Sequence, residues 1–221
     1  MDASSTPFLT GWFGQELKGA RPRAGTYGRY PHDELSPLPF ELTGDFGWLS
    51  RQAEHSSNIG HEKRKDNQSA LPKLVNDGAA IGLTLPSALI TFFQSSALQR
   101  RVRSCTDCFL DLSPAAAKSP VGDGFLVRFL ADSQGCVFWY VFARPGETDH
   151  CVVASTDFYG TDAEPWNDRP PDPAGIIFCE RSFEAFICRF WLENEIWFSQ
   201  WKKTALSNEA QRYLAEYGRA K

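Results

Sequence analysis

The order of patterns along the chain predicts an α+β fold: an antiparallel sheet of about four to six strands, helices packed on one face, and an irregular N-terminal arm. Three observations carry this. Two runs rich in Phe, Val, Trp and Tyr, Phe125–Leu130 and Cys136–Phe142, flank a turn sequence. Phe183, Phe186, Ile187, Phe190 and Trp191 recur at the spacing of one helix face. The strand-like runs follow one another directly, without the alternating helices that a parallel sheet needs.

Each element follows in chain order. Residues 1–54 mix Gly, Pro and Arg with aromatics (Trp12, Phe13, Tyr27, Tyr30), and no helical or strand period persists. They read as an extended arm that drapes over the body and buries its aromatics. Residues 55–69, HSSNIGHEKRKDNQS, carry one aliphatic side chain, Ile59, and read as a mobile loop or linker. The chain therefore divides into an arm and linker, 1–70, and an α+β domain, 71–221, starting near Leu71. In GLTLPSALITFFQSS, Pro86 sits at a helix first turn, followed by Leu89, Ile90 and Phe93 on one face. Val102–Leu112 reads as a strand. Between the two central runs, Asp132-Ser133-Gln134-Gly135 suits a type I turn with glycine in the left-handed position after it, giving a β-hairpin with a G1-bulge loop. His150–Ser155 and the run GIIFCE supply further strands, separated by a Pro/Asp loop at 161–175. Ser182 caps the aromatic helix, with Glu184 in its first turn. Trp197, Phe198 and Trp201 extend its stripe beyond what one narrow face needs, so part of that excess is expected on the arm or on a partner. A last helix at 208–217 is capped by Asn208 with Gln211 and ended by Gly218.

Composition bounds the function. The chain has 221 residues, of which 42% are hydrophobic and 14% aromatic, enough for a core in one domain with an extension. Its longest clean apolar run, Cys136–Ala143, falls far short of the ~20 residues of a membrane span. The N-terminus lacks the pattern of a secretory signal, so a cytoplasmic protein with reduced thiols is expected. The net charge is −4, and the basic clusters (Arg100, Arg101 and Arg103; Lys63–Lys65) are short, which argues against a nucleic-acid surface.

Candidate chemistry is sparse. Cys105 and Cys108 form a C-x-x-C, but four ligands make a structural zinc site and no second pair follows. With strand-like flanks, residues three apart point to opposite faces, so the two thiols are expected to diverge. No helix follows Cys108 to lower its pKa as a redox dithiol requires. His150 and Cys151 are strand neighbours and face opposite ways. Asp132 and Asp123-Gly124 are explained by turn chemistry. Arg128, between Val127 and Phe129, is expected on the open face of the sheet. No phosphate-loop, nucleophile-elbow, zinc-protease or calcium-loop motif occurs. No catalytic residue, metal or cofactor is assigned.

Three segments together, GLTLPSALITFFQSS, GFLVRFLADSQGCVFWYVF and SFEAFICRFWLENEIWF, resemble the SUKH superfamily of bacterial toxin-immunity proteins and fungal cell-wall regulators. The resemblance covers roughly residues 71–201 and rests on the Leu85-Pro86 helix start and the Ser182-Phe183 helix entry. It implies an α+β sheet, no enzymatic activity, and a role in binding another protein. It supplies no catalytic residues.

Charge suggests where such binding occurs. From Glu147 to Glu195 there are eleven acidic residues against three arginines, a local net of −8 in a chain of −4. Such a surface steers a basic partner. The expected partner-binding residues are Asp157, Asp162, Glu164, Trp166, Asp168 and Asp172, with Trp166 as the anchor. The leading expectation is an immunity protein that occludes a basic toxin. A regulatory or scaffold module without a toxin is the alternative, and a small cysteine-dependent enzyme, which needs a thiol of depressed pKa, is the third.

Overall fold

The structure is a computed structural model, and it describes residues 1, 5–161 and 171–218. Its centre is the hairpin of β6 (Phe125–Ala131) and β7 (Phe138–Ala143). The loop between them closes as its sequence demands. Asp132 Oδ2 accepts from the N–H groups of Gln134 and Cys136 (3.0 and 3.2 Å), and Gly135 takes φ +71°, a conformation glycine adopts without steric cost. The register of β6 shifts between Arg128 and Leu130. That bulge places two consecutive residues, Phe129 and Leu130, on the helix side of the sheet, while Leu126 and Ala131 lie on the other side.

The sheet grows outward from this hairpin. β8 (His150–Ser155) pairs antiparallel with β7, and β9 (Ile177–Glu180) pairs antiparallel with β8. β4 (Phe109–Leu110) and β5 (Ala117–Lys118) both pair antiparallel with β6. The far edge is β1 (Leu9–Thr10), parallel to β9, which makes seven strands among the described residues. A separate ribbon joins β2 (Trp12–Gly14) to β3 (Gly28–Tyr30).

The helices are α1 (Arg64–Ala80), α2 (Ser87–Gln94), α3 (Ser96–Gln99), α4 (Phe183–Lys202) and α5 (Asn208–Glu216). The α+β expectation holds, with the helices contributing to the core on one side of the sheet. The opposite side is apolar too, and Phe8, Phe158 and Tyr159 close over it. Burial on both faces explains why β7 reads as a continuous apolar run, FWYVFA, rather than an alternating one.

Several expectations need correction. The expected linker at 55–69 ends inside α1, and the boundary near Leu71 falls within that helix. Residues 1–54 do bury their aromatics, but as integral parts of one core: Trp12, Phe46, Trp48 and Leu49 belong to the same cluster as Phe129, Trp139 and Phe186. The strand expected over Val102–Leu112 shrinks to Phe109–Leu110, because Cys105 and Thr106 form a turn and Asp107 has φ +54°. Pro86 precedes α2 rather than opening its first turn. Ser207, not Asn208, caps α5, its side chain accepting from Ala210 N–H, while Gly218 does follow the helix at φ +73°. Arg128 is buried and bonds Asp111 Oδ2 at 2.9 Å, with its guanidinium 4.4 Å from the Phe158 ring centre. A buried guanidinium needs such a carboxylate, and the sequence alternation could not show that Asp111 stood opposite.

Candidate protein-binding surface

Of the eleven acids that set the local charge of −8, Asp157, Glu180, Glu184 and Glu193 are buried and Glu195 is half-buried. Glu180 bonds Arg189 Nε at 2.6 Å. Glu193 receives Trp12 Nε1 (2.7 Å), Arg21 Nη1 (2.8 Å) and the Tyr213 hydroxyl (2.7 Å). Glu184 receives the N–H groups of Gly44 (2.6 Å) and Phe46 (3.0 Å) and Trp48 Nε1 (3.1 Å). Glu195 pairs with Arg103 through both oxygens, at 2.8 and 2.7 Å. Most of these partners lie in residues 12–48, so a charge count over 147–195 alone could not see the compensation.

Of the expected partner-binding residues, Asp162, Glu164, Trp166 and Asp168 lie outside the described residues. Asp157 is buried, and its Oδ2 accepts Asp172 N–H at 2.8 Å, so it braces the chain rather than meeting a partner. This corrects its assignment to an acidic rim: a carboxylate with a backbone donor to satisfy it can be buried, and here it is. Asp172 is exposed, and its side chain accepts from Ala174 N–H at 3.0 Å, capping the short turn at Pro173–Gly175.

The C-x-x-C sits on a tight turn. Ser104 Oγ accepts from the N–H groups of Thr106 (3.2 Å) and Cys108 (3.0 Å), so the divergence expected of a strand does not apply. The Tyr27 hydroxyl lies 3.1 Å from Cys108 Sγ and 2.8 Å from both Thr106 Oγ1 and Asp132 Oδ1. Burial is the leading cause that pushes Cys105 up to about 12 and Cys108 up to about 11. The other four thiols are raised for the same leading reason. Among the described residues, no three His, Cys, Asp or Glu side chains group to hold a metal ion. His150 Nε2 accepts Phe183 N–H at 3.0 Å, satisfying an orphan donor at the start of α4. It is a structural histidine, held neutral because burial first, with a neighbouring positive charge, lowers its pKa to about 4.

The exposed feature that remains is aromatic. At the end of α4, Trp197 and Trp201 stack with ring centres 6.0 Å apart and planes 12° apart. Phe198 meets Trp197 edge-on at 5.2 Å, and the Arg103 guanidinium covers Phe198 at 4.0 Å. Trp201 is 66% exposed, unusual for the largest side chain. The helix puts the two tryptophans on one face because they stand four residues apart.

This pair forms a ridge between two clefts. One, of about 500 Å³, is walled by Gln15, Lys18, Arg23, Cys105, Gln134 and Gln200. The other, of about 530 Å³, is walled by Glu54, His55, Arg103 and Phe198. The first wall is fixed by a reciprocal pair: Lys18 N–H donates to Gln200 Oε1, and Gln200 Nε2 donates to Lys18 O, each at 2.9 Å. The excess of Trp over one helix face, visible in the sequence, was the signal for this surface; its two clefts, built from the N-terminal segment and the Cys105 turn, had none.

Among the described residues no helix is long and apolar enough to cross a membrane. No protein-family model matches the chain, no curated protein shows significant similarity to it, and no solved structure does either.

Proposed function

We propose that this chain is a non-enzymatic protein-binding module that covers its partner's working surface, most concretely an immunity protein that occludes a basic toxin. The observation that carries the binding role is the Trp197–Trp201 ridge, a stacked aromatic pair with Trp201 exposed, between two clefts. Tryptophan is the residue most enriched among interface anchors, and a stacked pair loses little side-chain entropy on binding. The raised thiols support a role without cysteine chemistry, since a nucleophile needs the opposite shift. The resemblance to SUKH proteins supports the toxin reading. Acidic steering is then assigned to Asp172, which is exposed, and to Asp162, Glu164 and Asp168, which lie outside the described residues.

The test is binding to a basic nuclease-type toxin, read with its inhibition. Trp197→Ala with Trp201→Ala should weaken binding at least about a hundredfold, as loss of two anchors does. Charge reversal at Asp162, Glu164 and Asp168 should slow association and make it less sensitive to salt. Affinity and inhibition unchanged by both sets would overturn the proposal.

A further inference from the structure

A different cavity, of about 560 Å³, lies between residues 32–42 and the junction of β9 with α4. Its volume is in the range of small-ligand sites, about 300–1,000 Å³. Leu35, Leu38, Phe40, Leu42 and Phe178 supply an apolar wall, and His32, Glu180, Arg181 and Arg189 supply the polar groups.

The hydrogen bonds of Arg189 show a surplus. A guanidinium carries five N–H donors. Nε donates to Glu180 Oε1 (2.6 Å), and Nη1 donates to Ser36 O (2.9 Å) and the Tyr213 hydroxyl (2.8 Å). Nη2 makes none of these bonds, and it is not among the polar atoms sealed from solvent without a partner. Arg189 is 6% exposed and lines this cavity, so Nη2 is the edge of its guanidinium left to meet a ligand. Arg181, eight positions earlier, is exposed on the same cavity. With His32 neutral, because burial above all lowers its pKa, the charged lining is one carboxylate against two guanidiniums. His32 Nε2 is itself buried without a hydrogen-bond partner.

We propose that this cavity binds a carboxylate joined to an apolar body. Arg189 Nη2 and Arg181 take the carboxylate, since guanidinium N–H pairs match its two oxygens. The Leu and Phe wall takes the apolar body. A peptide ending in an apolar residue with a free carboxylate presents this chemistry. A medium-chain fatty acid presents the same carboxylate without the amide. The site is separate from the tryptophan ridge and stands or falls independently of it.

Calorimetric titration of the full chain distinguishes these cases with three probes: a hexapeptide ending in leucine with a free carboxylate, the same peptide amidated, and decanoate. The free-acid peptide should bind at least about tenfold more tightly than the amide, the usual effect of a charge-assisted hydrogen bond. Arg181→Glu, at an exposed position, and Leu38→Glu, at a half-buried one, should each weaken it by a similar factor while circular dichroism shows an unchanged fold. Decanoate binding with the same sensitivity to both variants, and no peptide binding, would assign the site to a fatty acid and uphold the carboxylate chemistry. Equal binding of acid and amide, no binding of either acid, or binding indifferent to both variants would overturn the proposal.

Discussion

At the residue scale, buried carboxylates hold the N-terminal segment to α4. Phe46 shows how firmly. It has φ +60°, uncommon for a bulky side chain, yet it is fully buried against Phe92 and Phe183, with its N–H fixed by Glu184. Glu193 has the same role for Trp12 and Arg21. Truncating it leaves a buried guanidinium without its carboxylate, so Glu193→Ala should cost about 3–5 kcal/mol in urea unfolding. His150 gives a pH test. Its folded-state pKa of about 4 lies below the ordinary value of 6.5, so the unfolded chain takes up the proton first. The stability this neutral histidine confers is fully present above pH 6.5 and is lost as pH falls from there toward about 4, by at most about 3 kcal/mol. His150→Gln keeps an acceptor for Phe183 N–H but does not titrate. Unfolding free energies at pH 7 and pH 4.5 should therefore fall less for the variant than for the parent chain.

At the element scale, legibility followed local pattern. The β6–β7 hairpin and α4 were readable because their signals are dense: Asp and Gly at fixed turn offsets, and a cap followed by an apolar stripe. Ser182 Oγ accepts Ala185 N–H at 3.2 Å, so Ser182→Ala should destabilise the protein by about 1 kcal/mol, measurable as a shift of the urea midpoint without change of slope. Helix α1 was not readable. It opens Arg-Lys-Asp-Asn-Gln-Ser, carries Pro72 inside it, and buries little beyond Leu71, Leu74, Asn67 and Gly78. Asn67 shows why the helix sits where it does: its side chain donates to Leu110 O (2.9 Å) and accepts from Leu112 N–H (2.8 Å), completing the edge at β4. A polar residue doing a strand's pairing has no periodic signature.

At the scale of the whole molecule, the N-terminal segment is part of the fold. It supplies an edge strand, the ribbon β2–β3, the Phe8 cover of the second sheet face and counter-charges for α4. Deleting residues 1–14 should therefore abolish cooperative unfolding and make the remainder sensitive to limited proteolysis, whereas a dispensable arm would leave a sharp transition. Trp201 is the opposite case. With 66% of it exposed, Trp201→Ala should change stability by no more than about 0.5 kcal/mol while weakening partner binding, a separation that thermal melts and binding curves on the same sample would reveal.

The sequence by itself determined what short-range chemistry dictates: the α+β class, the central hairpin and its glycine, the capped aromatic helix, and the excess of tryptophan at its end. Only the tertiary structure decided where charge and polarity go. Arg21, Trp12 and Tyr213 meet at Glu193 from separations of 172, 181 and 20 residues, and Asp111 meets Arg128 across 17. Coulombic and hydrogen-bond partners are set by distance in space, which composition does not encode. For that reason Glu180, Glu184 and Glu193 of the acidic stretch became an interior framework in the fold, and Trp201 at the end of α4 became exposed surface.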